Sequence, residues 1–303
     1  MAVKKRSVLH KLRKFILRKI LRKSKKPFPI DEEIVAYPEA YEHQHVETFI
    51  SSHQVSTYRW NEKPSQPYNL HLISLKLDNL TRCIEKGALD VMLQERPNIV
   101  CIQESTNSVD KTPGEVRRLP GYHPYWLHSE KHQKVATIYS RTMPMNVLYG
   151  FEVPNLDDLI ITAEFEKFFL ICALPPNSDI RLKELSWEDR LRNHALSLDF
   201  RKPVIICGNF TTAHHGTDKK RCLSRTSGTT CENSYAMTKL LSSGFIDTSR
   251  VFYPEQSVRS NESNRFDHIF VSTRLRNKVV EFPVVEESVC RNFCCPGIGF
   301  FNL

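Results

Sequence analysis

The sequence predicts an α/β fold in which two mixed β-sheets pack face to face and are flanked by helices. Short apolar runs typical of strands alternate with longer helical segments. Residues 160–174 hold two such runs in succession, which indicates a hairpin. Hairpins mixed with crossover helices favour a packed pair of sheets over a doubly wound sheet. With 303 residues, 40% of them hydrophobic, the chain can bury one large core.

The predicted elements begin after residue 67. Apolar runs of about four to eight residues, rich in Ile, Val, Leu and Phe, predict the strands. These runs lie at 70–75, 99–103, 135–139, 160–165, 168–174, 204–207 and 266–271. Apolar residues that recur at helical spacing predict helices at 80–93, 187–200 and 233–243.

Composition divides the chain into three regions. Residues 31–67 hold prolines and many polar residues without a sustained apolar period, which predicts a linker. Residues 68–303 are predicted to form the folded domain. Residues 1–30 form a basic tail without acidic residues, and its basic residues are Lys4, Lys5, Arg6, Lys11, Arg13, Lys14, Arg18, Lys19, Arg22, Lys23, Lys25 and Lys26.

Positive charge is concentrated in this tail. The formal net charge is +9, from 43 basic and 34 acidic residues. Without the twelve basic residues of the tail, 31 basic residues face the 34 acidic ones, so the rest of the chain is slightly acidic. We therefore expect attraction to DNA to come mainly from the tail, with an unidentified protein as the alternative partner.

The tail has the pattern of an imperfect basic amphipathic helix. Leu9, Leu12 and Ile16 fall on one side at helical spacing, although Lys19 interrupts that side. Four interpretations stay open: a nuclear import signal, a mitochondrial presequence, an anchor for a membrane surface or nucleic acid, and a solvated tail without a specific partner. Lys-rich clusters at 4–6 and 22–27 favour nuclear localisation, with mitochondria as the alternative.

Cysteine content and hydropathy limit the class of protein. Nine cysteines, several of them inside strand-like runs, predict reduced buried thiols and no disulfide framework. The later cysteines lack the two-residue spacing of zinc ribbons, so no zinc site is expected. No apolar run is long enough to span a bilayer and no signal peptide opens the chain, so we expect a soluble intracellular protein. The oligomeric state is open.

Several motifs along the folded domain resemble those of one enzyme family. They lie in order at 98–104, 119–126, 161–165, 176–177, 202–208, 213–214, 244–248 and 265–267. With these motifs the chain resembles the exonuclease III class of AP endonucleases, within the endonuclease/exonuclease/phosphatase superfamily. The resemblance covers residues 68–303 and implies a four-layer α/β sandwich.

The resemblance also implies a chemistry. Such enzymes hold Mg²⁺ with carboxylates and activate a water to attack the phosphodiester 5′ to an abasic site. Glu104 matches the principal metal ligand and Asp78 an accessory acidic position, while Asn177 and Asp267 keep the family's residue types. The remaining positions are changed: Lys76 stands for Asn, Leu174 for Tyr, Asn209 for Asp, Thr211 for Asn, Phe293 for Asp and Cys294 for His.

These replacements remove groups that the reaction uses. The amide of Asn209 does not accept a proton near neutral pH, Leu174 has no hydroxyl, and Phe293 cannot ligate a metal. Loss of one acid–base group costs about 10²- to 10⁴-fold in rate. We therefore interpret the chain as a catalytically inactive AP endonuclease-like protein, without an intact catalytic set or a cofactor. It would act by binding DNA, chromatin or a protein partner.

Two alternatives remain. The first is a divergent magnesium-dependent AP endonuclease or phosphodiesterase in base excision repair, which would act through Glu104 and Asp78. The second is a module that binds only proteins. Lys76 also suggests that an ammonium group has taken the place of Mg²⁺.

Other basic side chains are expected to be surface groups. Lys131 and Lys134 are predicted to lie exposed in a turn, where contact with phosphates is the alternative to simple solvation. His268, like His214 and His215, is interpreted as a residue without a catalytic role.

Overall fold

The computed structural model describes residues 64–77, 95–104, 119–129, 134–151, 158–175, 186–210, 231–253, 267–282 and 297–303. These ranges contain twelve strands. They are β1 (Leu70–Leu77), β2 (Ile99–Glu104), β3 (His123–Ser129), β4 (Lys134–Ser140), β5 (Asn146–Tyr149), β6 (Leu159–Glu164), β7 (Phe169–Leu174), β8 (Val204–Asn209), β9 (Phe245–Asp247), β10 (Asp267–Ser272), β11 (Val279–Glu281) and β12 (Gly297–Phe301).

The strands form two mixed six-stranded sheets. The first sheet has the order β11-β12-β1-β2-β4-β3, and the second has the order β5-β6-β7-β8-β10-β9. Each sheet contains one parallel pair, β1 with β2 and β7 with β8, among antiparallel neighbours. The hairpin predicted at 160–174 is confirmed as the antiparallel pair β6 and β7.

Two helices, α1 (Trp187–Asp199) and α2 (Cys231–Ser242), cover the outer face of the second sheet. The short helix α3 (Thr248–Phe252) and a 3₁₀ helix at Thr273–Lys278 contribute Phe252 and Leu275 to the layer between the sheets. Ser186 caps α1, because its hydroxyl accepts a hydrogen bond from the backbone N–H of Asp189 at 3.1 Å. Arg190 fixes the same helix to the start of β6 through a two-armed ion pair with buried Asp158, at 2.6 and 2.9 Å.

Two apolar layers stabilise this arrangement. The layer between the sheets includes Leu72, Cys101, Ile138, Ile161, Leu170, Cys172, Cys207, Ile269 and Phe301. The layer between the second sheet and its helices includes Ile160, Ile171, Ile206, Phe270, Trp187, Leu191, Leu198, Met237 and Leu240. Each fully buried aliphatic side chain contributes about 1.5–3 kcal/mol to stability. Because successive side chains of a strand point to opposite faces, the strands of the second sheet supply residues to both layers.

Three thiols lie inside the layer between the sheets. Cys101, Cys172 and Cys207 are buried and free, which confirms the expectation of reduced thiols for these three. The Cys172 sulfur donates to the carbonyl of Thr137 across the gap, at 3.8 Å. Burial raises the pKa of the Cys101 and Cys207 thiols, because the apolar surroundings disfavour a thiolate.

The predicted α/β fold of packed sheets with flanking helices is confirmed, and the element boundaries shift by a few residues. The helix predicted at 80–93 lies outside the described residues, as do residues 1–63. Strands β3, β5, β9, β11 and β12 were not predicted. Strands β3 and β5 are half-exposed edge strands, and β9 and β11 have only three residues each. Strand β12 contains Gly297 and Gly299, so none of the five displays the apolar run on which the prediction relied. Across the described part of the chain, no helix is long and apolar enough to cross a membrane.

Candidate functional site

Strand register places a polar group at one end of the gap between the sheets. In the first sheet Lys76 lies opposite Gln103, and Gln103 lies opposite Ala136. Residues directly opposite each other on neighbouring strands point to the same face of the sheet. Lys134 lies two residues before Ala136 on β4, so its side chain points to that face as well. The Gln103 side-chain nitrogen lies 3.4 Å from the Cys172 sulfur of the second sheet. This face therefore looks into the gap, and both lysines belong to it.

The second sheet contributes the opposite wall at the same end. Leu174 and Asn209 each lie two residues beyond a cysteine of the inter-sheet layer, so their side chains point toward the first sheet. The Lys134 ammonium donates a hydrogen bond to the carbonyl oxygen of Pro175, just past the end of β7, at 3.3 Å. This bond joins the start of β4 to the end of β7 and fixes the width of the gap there.

Asn209 is held by Asp267 at the ends of β8 and β10. The two residues are direct partners in the antiparallel ladder, and the Asn209 side-chain nitrogen donates to an Asp267 carboxylate oxygen at 3.1 Å. The reverse amide orientation would set two oxygens against each other, so the hydrogen bond fixes the orientation. Asp267 therefore has a side-chain partner in Asn209.

Within the part of the chain that the structure describes, two buried amide oxygens at this end have no hydrogen-bond partner. They are Oδ1 of Asn209, a residue 2% exposed, and Oε1 of fully buried Gln103. The Gln103 amide nitrogen is engaged, because it donates to the Ser74 hydroxyl at 3.3 Å. An unsatisfied buried acceptor costs about 1–3 kcal/mol. The site therefore retains hydrogen-bonding capacity that a donor from outside the protein would satisfy.

Close packing of β7 and β8 positions Asn209. A Cβ atom on Gly208 would lie 2.0 Å from the carbonyl oxygen of Ala173, a distance that no side chain tolerates. Glycine is therefore required at this position so that the parallel strands can approach. Asn209, the next and last residue of β8, therefore lies at the end of the gap.

His268 is buried, which contradicts its interpretation as a surface residue. Its ring nitrogen Nδ1 lies 3.4 Å from a carboxylate oxygen of Asp247, and the other Asp247 oxygen accepts from the backbone N–H and hydroxyl of Ser249. The ring stacks on Phe270 at 5.1 Å between centroids. This contact network ties α3 to β10 behind the site.

The two lysines have different surroundings. Lys134 is the first residue of β4 and is buried, so its prediction as an exposed turn residue is wrong. Its pKa lies below the ordinary value, first because burial disfavours the charged form and second because Lys76 lies nearby. Lys76 is half-exposed, and it makes no hydrogen bond or ion pair with any residue that the structure describes.

The described ranges hold only part of the site predicted from sequence. Asn209 and Asp267 are in contact, and Lys76 and Leu174 lie on the two walls of the gap at the same end. The backbone of Glu104 ends β2, paired with Leu77 and Val135. The side chain of Glu104 and the whole of Asp78, Asn177, Thr211, Phe293, Cys294, Lys131, His214, His215 and the basic tail lie outside the description.

Mg²⁺ takes oxygen ligands, and the described side chains at this end offer one carboxylate, that of Asp267, together with the amide oxygens of Asn209 and Gln103. Lys76 and Lys134 bring positive charge to the gap, and Leu174 is apolar. Among the described residues, no group of three His, Cys, Asp or Glu side chains is arranged to hold a metal ion. The described residues alone therefore do not form a Mg²⁺ site.

Sequence reasoning missed two contributors, Gln103 and Asp247, and it placed a third, Lys134, in an exposed turn. Gln103 and Asp247 each lie in one of the family motifs, at 98–104 and 244–248. Their burial follows from the pairing of the strands, which the sequence does not show directly. Lys134 carried a weaker signal, since it directly precedes an apolar run and a strand can begin one residue earlier.

Two packed mixed sheets, flanking helices and a polar site at one end of the inter-sheet gap define a four-layer α/β sandwich of the AP endonuclease type. An AP endonuclease from Archaeoglobus fulgidus superposes with a TM-score of 0.65 at 19% identity, covering 78% of this chain and 100% of that one. The Endonuclease/Exonuclease/phosphatase family matches residues 76–288, and the chain belongs to it.

Sequence relatives support the resemblance to the exonuclease III class. Recombination repair protein 1 of Drosophila melanogaster is 36% identical over 256 residues, which cover 78% of this chain and 38% of the relative. The DNA repair nuclease APEX1 of Danio rerio is 33% identical over 206 residues, which cover 64% and 66%. The chain thus spans little more than a third of the first relative and just under two thirds of the second.

Proposed function

We propose that this protein is a DNA-binding member of the AP endonuclease class that has lost the hydrolytic reaction. The observation that carries the proposal is the hydrogen bond from the Asn209 amide to Asp267. At the position that the resemblance assigns to the water-activating carboxylate, Asn209 donates a hydrogen bond to its neighbour and offers no basic group.

Two further side chains support the proposal. Leu174 is buried at the end of β7, where the resemblance implies a tyrosine hydroxyl. Lys76 brings an ammonium group where the resemblance implies a neutral amide. Loss of one charge-stabilising donor costs about 10²- to 10³-fold, and loss of an acid–base group about 10²- to 10⁴-fold, although such losses do not simply add.

DNA is the proposed partner, because relatives named as DNA repair proteins share the domain and because residues 1–30 are strongly basic. Neutralisation of phosphates by such a tail releases counterions, so binding falls steeply with salt. We propose nuclear localisation, with mitochondria as the alternative, and no requirement for a metal in binding.

A divergent magnesium-dependent nuclease is the second candidate. It is favoured by one observation: Glu104, the implied principal metal ligand, ends β2 beside the gap. In that case Glu104 and Asp78 would hold Mg²⁺, which would supply charge stabilisation at the phosphate.

An abasic-site duplex separates the two candidates. Cleavage is measured with Mg²⁺ and with Mn²⁺ for the parent, for Glu104→Ala and for a chain without residues 1–30, and binding is recorded on the same duplex. We expect binding without cleavage, weakened by salt and by loss of the tail. Cleavage that Glu104→Ala abolishes would overturn the proposal and establish the divergent nuclease.

A further inference from the structure

We propose that the outer edge of the second sheet, strand β5 (Asn146–Tyr149), binds an acidic segment of a partner protein that pairs with it as an additional β-strand. This edge lies two strands away from β7, which forms a wall of the site described above. The inference therefore adds a protein partner to the proposed DNA partner, and it does not depend on whether the hydrolytic reaction is lost.

The direction of the backbone groups supplies the first argument. The backbone N–H of Gly150 donates to the carbonyl oxygen of Ile160 on β6 at 2.8 Å. In an antiparallel pair alternate residues bond to the same neighbour, so the backbone groups of Val147 and Tyr149 point away from β6. None of the described strands pairs with that side of β5, which is the outermost strand of its sheet. A further strand can therefore bond to β5 without displacing any of them.

The composition of this edge supplies the second argument. Natural sheets protect exposed edges with charged side chains, prolines or very short strands. The edge strand β3 contains Pro124, and the edge strands β9 and β11 each end in an acidic residue. Residues 145–149 hold neither a charge nor a proline, although apolar side chains on and just before β5 are exposed. They are Met143, Met145, Leu148 and Tyr149, which are 57%, 69%, 45% and 50% exposed.

These exposed side chains favour a protein partner over nucleic acid. Aliphatic and thioether groups offer no donor to a phosphate, whereas Met and Tyr are enriched in protein interfaces. Met143 and Met145 are flexible enough to fit partners of different shape. An added strand would place every second side chain on the face of Leu148, where apolar residues can bury it. Backbone bonds would then supply affinity, and the apolar contacts would supply selectivity.

Charge near the start of β5 supplies the third argument. Glu164 accepts hydrogen bonds from both Arg201 and Lys202, at 3.1 and 2.7 Å, so this group of three keeps a positive charge. Arg141 is exposed in the segment that leads into β5. The Lys202 ammonium lies 3.8 Å from the Met145 sulfur, so the positive charge directly adjoins the apolar edge.

The other described charges at this end leave the balance positive. Glu95 with Arg96, and Glu166 with Lys167, are chain neighbours of opposite charge that cancel each other. Acidic side chains of a partner would therefore be attracted to Arg141 and Arg201. Such exposed pairs contribute more to the choice of partner and to the rate of association than to affinity.

The test selects ligands from a library of random short peptides displayed on phage. The full chain is the target, and its Leu148→Glu variant is used for counter-selection, so that peptides bound by the basic tail are discarded. We expect the enriched peptides to alternate apolar residues with Asp or Glu. Enrichment of no peptide, or only of peptides without acidic residues, would overturn the proposal.

The affinity of an enriched peptide, measured by fluorescence anisotropy, locates the site. Leu148→Glu should weaken binding by about tenfold or more, because an apolar contact is lost. Leu196→Glu is the matched control, since it puts the same charge on an exposed leucine of α1, and it should bind like the parent. Equal losses in the two variants would refute the assignment to β5.

A second pair of variants tests the acidic character of the partner. Arg141→Gln should weaken binding of the same peptide by about threefold at low salt. Arg276→Gln, an exposed change in the 3₁₀ helix, should leave the affinity unchanged. An affinity that Arg141→Gln does not alter would contradict an acidic partner.

N-methylation of the peptide tests strand pairing. Methyl groups are placed on alternate backbone nitrogens in two peptides, one for each of the two possible frames. A paired strand directs only every second N–H toward β5, so one frame should lose binding and the other should keep it. Equal affinities of the two frames would rule out strand addition. This comparison uses only the parent protein, so it stands even if Leu148→Glu fails to fold.

Two other occupants of the edge are distinguished by further measurements. Dimerisation of the chain alone, measured by sedimentation and abolished by Leu148→Glu, would assign the edge to a second copy. Displacement of the peptide by a DNA duplex, with duplex binding weakened in Leu148→Glu and not in Leu196→Glu, would assign it to nucleic acid. Either result would overturn the proposal.

Discussion

The side-chain nitrogen of Asn209 lies 3.1 Å from the carboxylate of Asp267, and this hydrogen bond joins the end of β8 to the start of β10. It uses a neutral amide where a second carboxylate would meet the first at close range. The amide is therefore part of what keeps this end of the second sheet together.

Asn209→Asp should destabilise the fold by about 1–3 kcal/mol at pH 7, because the hydrogen bond is lost and two carboxylates face each other. Like-charge repulsion raises the folded-state pKa of the pair above the unfolded value. The destabilisation is therefore present above that raised pKa and disappears as the pH falls through it. Urea unfolding at several pH values measures the effect.

The exchanged variant Asn209→Asp with Asp267→Asn is the control. It restores one carboxylate and one amide at the same distance, so it should recover most of the lost stability. A double variant as unstable as Asn209→Asp alone would refute the explanation by charge repulsion.

Gly208→Ala should cost about 3 kcal/mol, the upper end of the range for overpacking, because the added Cβ would meet the Ala173 carbonyl at 2.0 Å. Gly297→Ala is the matched control in a strand of the other sheet. Its Cβ would lie 3.5 Å from Ile269, an ordinary contact, so the change should stay under about 1 kcal/mol. Equal unfolding free energies for the two variants would contradict the close approach of β7 and β8.

Arg190→Met should cost about 2–3 kcal/mol, because it removes a two-armed partner from Asp158, whose side chain is 2% exposed. The comparison is Arg192→Met on the same helix. Arg192 forms an i,i+3 pair with Asp189 near the surface, and such pairs contribute about 0.3–0.5 kcal/mol. Thermal or urea unfolding of both variants tests whether burial decides the difference.

Glu164→Gln should lower stability by about 0.5–1 kcal/mol at pH 7 and have no effect in strong acid. A hydrogen bond from Lys202, at 2.7 Å, and the charge of Arg201 hold the pKa of Glu164 below its ordinary value of 4.5. The stabilisation is thus present above the unfolded pKa and is lost as the pH falls through the folded one. Glu166→Gln, an exposed change in the adjacent turn, should change stability by less than about 0.5 kcal/mol at pH 7. A cost for Glu164→Gln that persists in acid would contradict the ion pair.

The sequence predicted the buried strands well because each is a short apolar run between polar segments. Val204–Asn209 and Phe169–Leu174 are buried at every position, so their composition alone identified them. The prediction missed His123–Ser129 because this strand is a half-exposed edge strand that contains a proline. The residue composition of a strand depends more on its burial than on strand geometry.

Prediction of the site depended on the family resemblance, which located Asn209 and Asp267 but not their hydrogen bond. A contact between strands 58 residues apart depends on register, which local pattern does not fix. Lys134 illustrates the same limit. The sequence shows only that a lysine precedes an apolar run. It does not show that Lys134 is buried with its ammonium group against the Pro175 carbonyl across the gap.

The three thiols between the sheets provide a reporter of internal motion. Cys101, Cys172 and Cys207 are sealed from solvent on strands of both sheets, so an alkylating reagent can reach them only when the sandwich opens. Their alkylation rates, followed peptide by peptide, would record how often the two sheets separate, with no substitution made in the protein.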